Sequence, residues 1–357
     1  MPSPKPRRRP AGKARAKARR GKPKWVDLTD AELMEWRFCD LELCLEETPI
    51  APRVEQLREE LRRKKLGFQP DIWISTDWFS PDGVPGIAVP FYVVHPRLRL
   101  LERRQMQWVE GGTNRGFMHL IRHEAGHAID NAYLLHKRPD WRETFGRYSQ
   151  PYRSYYHPKP YSKRFVVHLD NWYAQSHPAE DYAETFAVWL DPGSRWRKRY
   201  ADWPALDKLE YVDSLMNEVR DASPVVRSRE RPDSVASLRM RLGDYYRRKR
   251  SHYGKDRPAG YDRDLRRLFR ERVRGDKRMR ADRFLRSVQP QILRAVARWT
   301  GEFQYTVKLV LGELIERARE LELVVALDER SSLLDATIML TIQTMNYVHS
   351  GYHRLLR

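Results

Sequence analysis

The chain has 357 residues, with 68 Lys and Arg against 48 Asp and Glu, a net charge of +20 and 41% hydrophobic residues. That length allows two domains and a sizeable core, and no apolar run reaches the ~18 residues a membrane span needs. Two cysteines, Cys39 and Cys44, exclude a disulfide framework and a Cys-rich zinc site. They read as reduced thiols. Arg7-Arg8-Arg9 is not followed by an apolar segment, so no export signal is read and the cytoplasm is expected.

The charge is uneven. Residues 1–24 carry +11 and residues 226–290 carry +13, which leaves −4 for the remainder. Residues 1–24 have almost no apolar side chains, so a disordered basic arm is expected, acting either as a solubility tail or as a nucleic-acid tether. Such basic blocks suit nucleic acid or an acidic partner.

Order is expected from Trp25. Asp30 reads as the N-cap of an amphipathic helix to Leu45, and Arg53–Lys65 as a second helix. Residues 71–76 and 87–95 are strand-like, with turn residues at 80–83 between them. Pro90 cannot donate to a sheet ladder, so the second strand reads as an edge or a bulge, where a peptide substrate could pair.

A helix spanning about 116–135 follows, free of proline and carrying His123-Glu124-x-x-His127. Residues i and i+4 share a helix face, so both imidazoles can reach one ion, while Glu124 can reach water beside it. Catalytic zinc takes three protein ligands and keeps one position open, so a third ligand is expected elsewhere. Gly126 costs about 1 kcal/mol of helix propensity, which suggests a close neighbour. His119, one turn earlier, cannot join the same tetrahedral ion and reads as a packing residue or as one that supports a ligand from behind. The Tyr- and Pro-rich stretch 137–170 reads as a long loop whose aromatics line a cleft or pack onto the domain.

Pro178 then suits a helix start, capped by Ser176 or His177. Glu180 and Glu184 share a face of that helix, beside Ala183 and Ala187. Two stacked carboxylates repel unless a cation and an imidazole N–H lie between them. In that arrangement Glu180 is the third ligand and Glu184 accepts from a ligand histidine. The other reading is an acidic face turned to solvent.

His123-Glu124-x-Gly126-His127-x-x-Asp130 followed by Glu180-x-x-Ala183-Glu184 resembles the gluzincin metallopeptidases, in particular the anthrax lethal factor type and related bacterial zinc-binding metallopeptidases. The resemblance covers roughly residues 70–192. It implies a zincin-like fold, one zinc per chain, Glu180 as ligand and Glu184 as support for a ligand histidine. It also implies that Tyr173, seven residues before Glu180, assists the oxyanion. Asp130 matches the trailing aspartate and is expected to support a ligand or to brace the helix against the following loop.

Residues 206–219 read as a helix closing this part. Beyond it, mostly Arg-rich helix broken at Gly254, Pro258-Ala259-Gly260 and Gly275 is expected over 226–290, one long helix over 291–326, and a last helix from a Ser332 cap to about Tyr352. His349 and His353 share a face, but Gly351 weakens the helix and no glutamate follows His349, so no metal is read there.

The combined expectation is an α+β chain with a basic arm (1–24), a zincin-like metallopeptidase domain (25–222) and a basic helical domain (223–357). Its chemistry would be peptide hydrolysis on a peptide or protein substrate, with zinc on His123, His127 and Glu180 and with Glu124 as general base. The alternative is a nucleic-acid-binding or regulatory protein with a structural or vestigial zinc site.

Overall fold

A computed structural model describes residues 22–350 apart from 107–108, 153–155, 157, 160, 253–260, 274 and 303. The expected basic arm falls almost wholly outside these residues, as do His353 and five residues of the aromatic loop. The described chain is mostly helical with two small sheets, an α+β arrangement. No helix among the described residues is long and apolar enough to cross a membrane.

The first helix is shorter than the sequence suggests. α1 (Asp30–Met34) is capped by Thr29 rather than Asp30, because Thr29 and Glu32 form a capping box. It stops early because the backbone beyond it bonds elsewhere: the N–H groups of Phe38 and Cys39 donate to the carbonyls of Met240 and Leu238. Cys39 and Cys44 form no disulfide. α2 (Ala51–Arg63) buries Val54, Leu57 and Leu61.

β1 (Asp71–Ser75) pairs in parallel with β2 (Gly86–Pro90), with Ile72 opposite Ile87 and Ile74 opposite Val89. The second strand ends at Pro90, short of the expected His95, and passes through a 3-10 turn (Phe91–Val93) into α3 (Pro96–Met106). Nor is β2 an open edge. Ala88 donates its N–H to Phe79 at 2.8 Å, so β2 lies between β1 and Phe79. Pro90 marks where the ladder stops.

Two helices hold the centre of this part. α4 (Asn114–Tyr133) starts at Thr113, whose hydroxyl accepts from Gly116 N–H, and ends at Leu134 in the left-handed conformation. After α5 (Pro139–Phe145) comes α6 (Pro178–Leu190), buried along its whole length. α7 (Trp196–Arg199) and α8 (Ala205–Val219) follow, and α8 packs on α6. The next segment returns across the molecule. Val225 and Val226 donate to the carbonyl of Ala132, and Val235 donates to that of Ile74. α9 (Leu242–His252) then packs against α1 and α3. The first core therefore runs from Trp25 to Tyr246 and takes in Val235, Leu242 and Tyr245, residues that composition alone groups with the basic C-terminal part.

A second core, Leu265 to Leu340, joins α10 (Asp262–Leu268), β3 (Phe269–Glu271), α11 (Ala281–Thr300), α12 (Gln304–Glu320), β4 (Leu323–Val325) and α13 (Glu329–Ser350). β3 and β4 pair antiparallel. The single helix expected over 291–326 is thus three elements. Gly301, at φ 74°, caps α11, and the Val324-Val325 pair favours a strand over a helix end. α13 opens at Asp328, whose carboxylate accepts from Ser331 N–H at 3.0 Å, rather than at Ser332.

Candidate metal centre

α4 and α6 cross closely at Gly126. A Cβ built there would lie 2.9 Å from the Cα of Ala183 and 3.2 Å from its carbonyl oxygen. This close approach lets one turn of each helix meet. His123 and His127 project from α4 and Glu180 from α6. Nε2 of His123 lies 3.0 Å from Oε2 of Glu180, and Nε2 of His127 lies 3.2 Å from the same oxygen. The two Nε2 atoms are 3.1 Å apart. His123 and Glu180 are buried and His127 nearly so.

The far side of His123 is fixed by a second carboxylate. Its Nδ1 donates to Oε1 of Glu184 at 3.0 Å, and the other oxygen of Glu184 accepts from Leu169 N–H at 2.8 Å. With Nδ1 carrying the hydrogen, the neutral ring turns a lone pair on Nε2 toward the carboxylate of Glu180. Such lone pairs repel unless positive charge sits among them. The electrostatics say the same. Burial disfavours the His123 imidazolium, but the hydrogen bonds and charges of Glu180 and Glu184 outweigh it and hold its pKa well above the ordinary value. His127 is raised too: burial opposes the imidazolium, and Glu180 overrides it. Burial would raise Glu180, yet both histidines pull it well below the usual carboxylate range. A divalent cation supplies that charge directly, and two imidazole nitrogens with one carboxylate oxygen, all within 4.8 Å of one another, form a donor set suited to zinc.

Glu124 belongs to α4 but not to this donor set. Its side chain is buried, and Oε2 has no hydrogen-bond partner among the described residues. Burial raises its pKa, the two histidines oppose the rise, and Glu180 and Asp77 add to it. Its backbone carbonyl lies 3.1 Å from the hydroxyl of Ser80, which also reaches Gly86 O at 2.6 Å and so ties α4 to β2.

Tyr173 sits on a 3-10 turn (Asp170–Gln175) packed on α6, with its ring 5.7 Å from that of His123. Burial, then the charge of Glu180, lifts its phenol well above the usual value, so it keeps its proton. Asp130 lies away from the cluster. Its carboxylate accepts from the backbone N–H of His136 at 2.7 Å and from His136 Nδ1 at 2.9 Å, bracing the end of α4 against the next turn. His119 is also apart. It stacks on His168 at 4.6 Å, and His168 Nε2 donates to its carbonyl.

Two contributors are not singled out by sequence. Tyr152 donates its hydroxyl to Oε1 of Glu180 at 2.7 Å. Its loop reads only as aromatic-rich, and no spacing marks this one tyrosine. Arg122, next to His123, makes a buried two-point ion pair with Glu60 of α2 at 2.7 and 2.8 Å. The partners are 62 positions apart, beyond any local pattern.

This geometry sits inside a recognisable segment. Residues 99–193 match the family model described as Putative zinc-binding metallo-peptidase. The matched segment spans the three clustered residues that could hold a metal, together with Glu124, Tyr173 and Glu184. No curated protein and no solved structure matches the chain.

Proposed function

We propose that this chain is a zinc-dependent peptidase of zincin-like architecture, holding one zinc ion on His123, His127 and Glu180 and hydrolysing a peptide or protein substrate. The observation that carries the reading is the convergence of three ligand atoms from α4 and α6, with Glu184 on the far nitrogen of His123. When bound, zinc supplies Lewis-acid chemistry that makes water nucleophilic near neutral pH and polarises a carbonyl. Glu184 keeps the imidazole of His123 in the tautomer that offers Nε2. Glu124 has a raised pKa and an unpartnered buried oxygen, as suits a general base. It takes the proton from the attacking water at its carboxylate and delivers it to the leaving amine. Tyr173 stays protonated and donates to the developing oxyanion, a contribution on the order of 10²-fold or more.

Metal analysis tests the ligand set. Purified wild type should carry one zinc per chain, and Glu180→Ala should lose it far more readily than Glu184→Ala. Stoichiometric zinc in Glu180→Ala would remove Glu180 from the set.

A further inference from the structure

The two oxygens of Glu180 are used differently. Oε2 faces both histidines, at 3.0 and 3.2 Å, while Oε1 accepts from the hydroxyl of Tyr152 at 2.7 Å. Tyr152 is held there by His177. Their rings stack at 3.9 Å with planes 15° apart. His177 is itself fixed at both nitrogens: Nδ1 accepts from Ala179 N–H at 3.1 Å as the cap of α6, and Nε2 donates to the carbonyl of Gln150 at 2.9 Å. The loop that supplies Tyr152 is therefore tied to the start of the helix that supplies Glu180.

We propose that Tyr152 is a positioning residue for the metal centre: by binding Oε1 of Glu180 it restricts that carboxylate to one ligand oxygen and sets its angle to the two histidines. The inference rests on the reading of Glu180 as a ligand. A carboxylate without this bond is free to rotate or to present both oxygens to the ion, which changes the coordination number and fills the position that water needs. A hydrogen bond to a ligand carboxylate commonly changes metal affinity 10–100-fold. The stack on His177 also links the loop's conformation to the geometry of the site.

The test uses the full chain carrying Tyr152→Phe, which keeps the stacked ring and removes only the hydroxyl. Zinc affinity is measured by competition with a chromophoric chelator at fixed pH, and coordination is followed by the visible absorption of the Co2+-substituted protein. The inference predicts zinc binding weaker by about 10-fold or more, cobalt bands of lower intensity as coordination number rises, and a fall in kcat with little change in KM. Glu180→Ala is run beside it. If Glu180→Ala keeps zinc, the ligand reading fails and the inference falls with it. If Glu180→Ala loses zinc while Tyr152→Phe matches wild type in affinity and cobalt spectrum, the inference alone is overturned. Should Tyr152→Phe lower the metal-free melting temperature, His177→Asn decides, because asparagine still caps the helix but removes the ring beneath Tyr152. Weakened zinc binding there supports the inference, and wild-type affinity overturns it.

Discussion

Gly126 and Ala183 are the contact on which the centre depends. A side chain on Gly126 would press into backbone of α6 at 2.9 Å, within one turn of the candidate metal-site residues on both helices. Gly126→Ala should gain up to about 1 kcal/mol of helix propensity and lose more to the clash, for a net destabilisation of roughly 1–2 kcal/mol. Separating α4 from α6 should also move Glu180 from the histidines. Paired measurements of melting temperature and zinc affinity should both fall; a rise in Tm with unchanged affinity would show that the crossing has slack.

The ion pair of Arg122 with Glu60 joins α2 to α4 in a site where both side chains are buried. Replacing one partner strands a charge, whereas replacing both removes it. Glu60→Leu should therefore cost about 3 kcal/mol by denaturant unfolding, and Glu60→Leu with Arg122→Met should recover most of that. A double variant no better than the single one would mean that Arg122 is held mainly by Asp191, 3.4 Å away.

Glu110 gives a pH prediction. Burial raises its carboxyl from 4.5 to about 7; Asp77 adds to the rise and Lys249 opposes it. The folded state thus holds a proton that the unfolded state releases above pH 4.5. Stability contributed by this residue is then lost as pH rises from about 4.5 to 7 and stays lost above. Glu110→Gln should match wild type in melting temperature at pH 4.5 and melt above it at pH 8, where its unfolding free energy should be higher by on the order of 1–3 kcal/mol. Equal melting temperatures at pH 8 would place Glu110 in a better-solvated setting.

The parts of the centre legible in the sequence are those written in helical spacing. His123 with His127 and Glu180 with Glu184 are one-turn pairs, and a one-turn pair has the same meaning in any helix. Gly126 signals a close neighbour without saying which; only the fold supplies Ala183. The length of α1, the place of Phe79 beside β2 and the reach of the first core to Tyr246 depend on partners far along the chain. Tyr152 is illegible for another reason. It acts from a loop, where no periodicity relates a residue to its target, and its position is set by the stack on His177.

The most direct measurement separates the metal from the chemistry at Glu124, which sits beside the donor set without joining it. Glu124→Gln keeps size and polarity but cannot act as a base. The account predicts zinc content equal to wild type, a melting temperature at or above it, and cleavage of an unstructured protein substrate reduced by about 10²–10⁴-fold or more. Tyr173→Phe should lose part of the activity with zinc retained. Wild-type cleavage by zinc-loaded Glu124→Gln would contradict the account and place the activity elsewhere in the chain.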